Sequence, residues 1–107
     1  METLAATPSD EAIDRDAEGF LRRPDQWTEE LARQLAHENG IDTLTEKHWQ
    51  VVRFMRNAFL TTGSAPSIRT LGKESGVPIK ELYHLFPKGP AKLAAKIGGI
   101  PKPHGCI

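Results

Sequence analysis

Apolar residues recur at helical spacing twice between positions 27 and 63. In "QWTEELARQLAHENG", Leu31 and Leu35 stand four residues apart, and Thr28 occupies an N-cap position ahead of two acids. Gly40 follows the last apolar turn, where a glycine ends helices. In "LTEKHWQVVRFMRNAFLTTG", Thr45 is the cap, Leu44 and Trp49 are placed to staple the first turn, and Gly63 stops the run. Trp49, Val52, Met55 and Phe59 make a stripe, so this second segment is expected to be the strongest helix and the centre of the core, with its aromatics packing rather than binding a ligand.

A third region, "APSIRTLGKESGVPIKELYHLFP", divides in two. Ser67 opens a short helix carrying Ile68 and Leu71, Gly76 breaks it, and Pro78 opens another with Leu82, Leu85 and Phe86 inward. Two short helices joined by "ESGVP" form a helix-turn-helix pattern. Pro87 ends it, and "AKLAAKIGG" reads as a last short helix. Upstream, "AIDRDAEGFL" places Ile13, Phe20 and Leu21 around a turn, which predicts a short β-hairpin. The expected organisation is therefore a disordered tail over 1–10, one mainly α (α+β) domain over 11–97, and a mobile C-terminal arm over 98–107. That domain is a small helical one with a helix-turn-helix-like unit and an N-terminal hairpin.

Composition narrows the function. The chain has 107 residues, enough for one domain, and 14 Lys and Arg balance 14 Asp and Glu. Zero formal net charge argues against a non-specific grip on nucleic acid, although it leaves room for a local basic patch. No apolar run is long enough to span a membrane, and the acidic start lacks the features of a signal peptide. His37, His48, His84 and His104 show no paired-ligand spacing, so no metal site is expected. No nucleophile elbow, phosphate loop or carboxylate pair suggests a stand-alone catalyst.

The ending, "GGIPKPHGCI", carries the one cysteine, Cys106. A single thiol forms no internal disulfide, which fits a reducing cytoplasm. Gly98 and Gly99 read as a hinge, Pro101 and Pro103 as stiffening elements, and Gly105 as a slim neighbour for a thiol entering a cleft. An extended chain from Gly99 reaches on the order of 20–25 Å. Protonated Lys102 and His104 would favour the thiolate and the Ile107 carboxylate would oppose it, so activation is expected from a partner's site.

These segments together carry a resemblance. "EGFL…W", "HW" after the capping threonine, "APSIRTL", "LFPKGPAK" and "GGIPKPHGCI" stand in the order and spacing of the DsrC/TusE family, from Glu18 to Ile107. The resemblance implies a mostly helical domain with a mobile arm whose penultimate cysteine accepts sulfur as a persulfide and passes it on. No other cofactor is implied. The implied partners are a TusBCD- or DsrEFH-like sulfurtransferase donor and an acceptor such as a tRNA thiouridylase. In the DsrC branch the partner is a dissimilatory sulfite reductase. Two-cysteine DsrC proteins have a second cysteine eleven residues before the penultimate one, where this chain has Ala95. That departure favours a single-thiol relay, as in TusE-like proteins. Arg69 and Lys92 are candidates for docking the arm or steadying a persulfide anion.

A competing resemblance lies in "SIRTLGKESGVPIKELYHLFP", close in pattern to the DNA-reading segment of TetR-like repressors, with Tyr83 and Phe86 as the Tyr-x-x-Phe pair. It implies a helix-turn-helix regulator. Those repressors continue into a long helical ligand domain, whereas this chain stops soon after.

Overall fold

Thr28, Thr45 and Ser67 each start a helix by turning a hydroxyl onto the backbone N–H three residues ahead, at Leu31, His48 and Thr70. The structure, a computed structural model describing residues 13–102, has five α-helices: α1 (Glu29–Glu38), α2 (Glu46–Thr62), α3 (Ile68–Glu74), α4 (Ile79–Leu85) and α5 (Pro90–Ile97). A 3₁₀ turn, Pro24–Gln26, precedes α1. None of these helices is long and apolar enough to cross a membrane.

The α2 start contains a substitution of chemistry. In the usual capping box a glutamate or glutamine reaches back to the N-cap N–H; here His48 does so, its Nδ1 accepting from the Thr45 N–H at 3.0 Å. That fixes the neutral tautomer with the proton on Nε2, which donates to the Leu85 carbonyl at 2.9 Å. The buried ring also meets Phe86 edge-on at 5.1 Å between centroids. One imidazole therefore caps α2 and ties it to the end of α4. His48→Ala leaves a half-buried carbonyl and a cap N–H without partners, and is expected to destabilise the fold by about 2–3 kcal/mol, measured by urea unfolding.

The core is not centred on α2. Six of the eight residues of α5 are buried, namely Pro90, Ala91, Leu93, Ala94, Ala95 and Ile97, and α5 touches all four other helices. The stripe on α2 is sound at Val52 and Met55, joined by Val51, while Trp49 and Phe59 are half-buried at its edges. Trp49 is flanked by the guanidinium groups of Arg53 and Arg33, 5.0 and 5.4 Å from its ring. The reason lies in side-chain size. Three alanines let neighbouring helices approach α5 closely from several sides, whereas the bulkier, charge-bordered stripe of α2 packs on one.

The helix-turn-helix pattern folds as a pair. α3 and α4 close so tightly that a Cβ on Gly72 would lie 2.3 Å from Ile79 Cγ1. The expected hairpin is not confirmed: the described residues hold no sheet, only one antiparallel bridge between Arg15 and Leu21, with the Asp16 N–H donating to the Phe20 carbonyl and the Arg22 N–H to the Asp14 carbonyl, both at 2.8 Å. Between them Asp16 Oδ1 accepts from the Glu18 and Phe20 N–H groups at 2.9 and 3.0 Å, which steadies the turn. Phe20 and Leu21 are fully buried beyond it. The tail expected over 1–10 lies outside the described residues.

Candidate functional site

The end of α5 decides how the chain reaches Cys106. The Gly99 N–H donates to the Lys96 carbonyl and the Ile100 N–H to the Ala95 carbonyl, both at 3.2 Å, with Gly99 at φ 70°. This is a Schellman closure, and its apolar partner, Ile100, is fully buried. The same arrangement ends α1, where Ile41 donates to Ala36 and Gly40 to His37. Gly98 and Gly99, expected as a hinge, are thus the cap of the central helix. Capping and burial hold 98–100 in the core, and Pro101 follows at its edge.

Two side chains pin this cap. The Trp27 indole lies against Gly99, where a Cβ would come within 2.2 Å of its Cδ1. Its Nε1–H donates to the Ile97 carbonyl at 2.8 Å. Arg56 stacks over the same indole at 4.4 Å and donates to the Gly98 and Pro24 carbonyls at 3.0 and 2.9 Å. Burial lowers the Arg56 pKa from its ordinary value. The carbonyl oxygens and the indole face stand where water otherwise would.

Beyond the cap, Lys102 donates to Glu18 Oε2, and Lys92 Nζ lies 3.9 Å from Glu18 Oε1. Glu18 rides on the Asp16 turn, so that turn meets the start of the C-terminal segment. The hydrogen bond from Lys102 holds the Glu18 carboxyl below its usual range, and Glu18 raises the Lys102 pKa. A carboxylate with a lowered pKa keeps its pair above its ordinary pKa and loses it as pH falls through the lowered one. The pair therefore persists across neutral pH. In an NMR titration Glu18 should show a midpoint below 4.5, and Lys102→Ala should move it upward. Both groups are exposed, so the contact orients the segment rather than stabilising the fold.

Of the residues expected from sequence, Lys92 and Lys102 come together around Glu18. Arg69 lies exposed on α3, with no ion pair among the described residues. Ala95 is fully buried in α5. Pro103, His104, Gly105 and Cys106 lie outside the described residues. Trp27, Arg56 and Glu18 were not singled out as site residues. Arg56 did carry a signal, since it falls between Val52 and Phe59 at an apolar-stripe position of α2.

Fold and site define a small helical domain whose central helix is capped, clamped and followed at once by a short cysteine-bearing segment. The family model described as DsrC like protein matches residues 7–107, and the chain belongs to that family. It is similar to the sulfurtransferase TusE of Yersinia pseudotuberculosis, with 50% identity over 89% of this chain and 94% of that protein. With TusE of Escherichia coli K12 the identity is 47%, over 89% of this chain and 93% of that one. Among solved structures, a chain of dissimilatory sulfite reductase I matches at TM-score 0.81 and 37% identity, covering 89% of this chain and 91% of that one. The oxidised γ-subunit DsrC of Archaeoglobus fulgidus matches at 0.78 and 38%, covering 89% and 92%.

Proposed function

We propose that this protein is a sulfur carrier in a sulfur-relay system, with Cys106 as the carrier atom's site. The observation that carries the reading is the family match running through the last residue, together with TusE relatives at about half identity over most of both chains. The capped, clamped exit of the chain at Pro101 supports it, because a firmly held base gives the last residues a defined origin. Six extended residues from Ile100 to Cys106 span at most about 20 Å.

The chemistry is thiol exchange. The Cys106 thiolate attacks the outer sulfur of a donor's persulfide, R–S–SH; a new S–S bond forms, the donor's S–S bond breaks, and the donor cysteine leaves as R–S⁻. Cys106–S–SH then gives its outer sulfur to the next thiolate in the same way and returns as a thiolate. No net oxidation occurs. Pro101, Pro103 and Gly105 present the thiol. A TusBCD- or DsrEFH-like protein is the donor and a tRNA thiouridylase the acceptor. The setting is the reducing cytoplasm, where a lone thiol persists.

Ala95 separates this reading from the second one, a partner of dissimilatory sulfite reductase. With one cysteine in the chain, Cys106 has no internal thiol with which to close a disulfide, so each sulfur must leave to another molecule. The test is incubation with a persulfide donor followed by intact mass measurement. A gain of one sulfur atom, removed by a reductant, is the expected result. Salt-dependent retardation of a promoter fragment without any sulfur loading would instead favour the helix-turn-helix regulator.

A further inference from the structure

The zero formal charge conceals a division of the chain. Of the 14 Asp and Glu residues only Glu74 and Glu81 lie beyond residue 64, whereas seven of the 14 Lys and Arg do. Glu81 is already engaged by Lys47 of α2 at 2.8 Å. The excess of cations is also ordered in space. Lys92 and Lys96 stand four residues apart on α5, and Lys88, in the turn that enters it, lines the same cavity as Lys92. Lys92 and Lys102 share Glu18, so the row runs on to the last described residue. Lys96 leans over the Phe20 ring at 5.2 Å.

Like charges at a spacing of four repel one another, and nothing in packing requires Lys88 or Lys92 to be cations, since both are exposed. Within salt-bridge distance of the row, Glu18 is the one carboxylate among the described residues. At its far end Lys88 and Lys92 frame a cavity of about 190 Å³ with Ile68, Pro90 and Tyr83, and the Tyr83 side chain is left half exposed. The surface thus offers ammonium groups beside an apolar, aromatic seat.

We infer that this row is a docking surface for an acidic protein surface bordering the partner's sulfur-transfer pocket, with Tyr83 and the adjoining cavity taking an apolar side chain of the same partner. The inference rests on the carrier reading. Charge complementarity sets the partner's sign, and an acidic partner would also compete with Glu18 for Lys102. Lys102 is four residues from Cys106, about 14 Å when extended, so a partner seated on the row has its pocket within reach. A protein is favoured over nucleic acid because the row is interrupted by Glu18, consists of lysines without a bidentate arginine, and ends in an apolar seat.

The experiment follows persulfide transfer from a radiosulfur-loaded TusBCD-like donor complex to the wild-type chain, to K88E and to K88E/K92E. Wild-type transfer should slow as salt rises between about 50 and 500 mM. K88E should be several-fold slower at low salt and the double variant about tenfold slower, with the salt dependence flattened. K88E should keep the wild-type unfolding midpoint and the wild-type rate of Cys106 alkylation by iodoacetamide. Wild-type transfer rates in both variants would overturn the inference. So would a tRNA gel retardation that K88E/K92E abolishes while donor transfer stays unchanged, which would assign the row to nucleic acid. A wild-type chain that takes no sulfur from the donor or from glutathione persulfide refutes the carrier reading itself, and so is distinguishable from failure of the docking surface.

Discussion

Cys106→Ser is expected to abolish sulfur loading completely while leaving the fold unchanged. The hydroxyl is not ionised near neutral pH and forms no stable bond to sulfane sulfur, whereas a thiolate is both nucleophile and leaving group. Because the chain has no other cysteine, no second site can take over. Cysteine and serine are close in size, so unfolding by heat or urea should match the wild type. The measurement is intact mass after incubation with a persulfide donor, with and without reductant. A sulfur adduct on the serine variant would end the carrier assignment; a wild type that takes up none would do the same.

Gly99→Ala is expected to be the most damaging single methyl group in the domain. Two costs coincide there. A φ of 70° is strained for any residue with a Cβ, at about 1–2 kcal/mol. The new carbon would also overlap Trp27 Cδ1 and Cγ, at 2.2 and 2.6 Å, adding about 1–3 kcal/mol of overpacking. Gly40→Ala is the natural comparison. It sits in the same type of helix closure at φ 87° with nothing within 4 Å of its would-be Cβ, so it should show the conformational cost alone. Urea unfolding should therefore rank Gly99→Ala well below Gly40→Ala. In a Trp27→Ala background the difference should shrink, because the overlap is gone. Equal losses at the two glycines, or no coupling to Trp27, would show that the indole does not clamp the cap. Sulfur transfer by Gly99→Ala should fall too, since the displaced cap moves the origin of the segment that carries Cys106.

Much of this architecture was legible in the residue pattern. Thr28, Thr45 and Ser67 announced three helix starts, and Gly40 and Gly63 two helix ends, because capping is a contest among neighbours a few positions apart. Leu31, Leu35, Val52, Met55, Leu71, Leu82 and Phe86 showed their inward faces by spacing alone. Around "DAEG" the pattern shows a turn and a chain reversal but not how far the pairing extends, nor that the Asp16 carboxylate takes two backbone donors inside it. The central place of α5 does not show in the residue pattern because the segment is short and alanine-rich, although it is small residues that admit neighbours from several sides. The glycine pair was misjudged for a related reason. Flexibility belongs to glycine in isolation, but a helix closure followed by isoleucine converts it into a fixed turn once there is a core for Ile100 to enter.

The candidate site divides along the same line. The carrier thiol, the prolines and the missing second cysteine are properties of covalent order, so the amino-acid sequence settles them without help. Trp27 against Gly99, Arg56 on the Gly98 carbonyl, and Glu18 between Lys92 and Lys102 join positions separated by tens of residues. Local preference has no range at such separations. Only packing around α5 brings these groups to one place, and so only the tertiary structure decides how the cap before Pro101 is held and which charges stand beside Lys102.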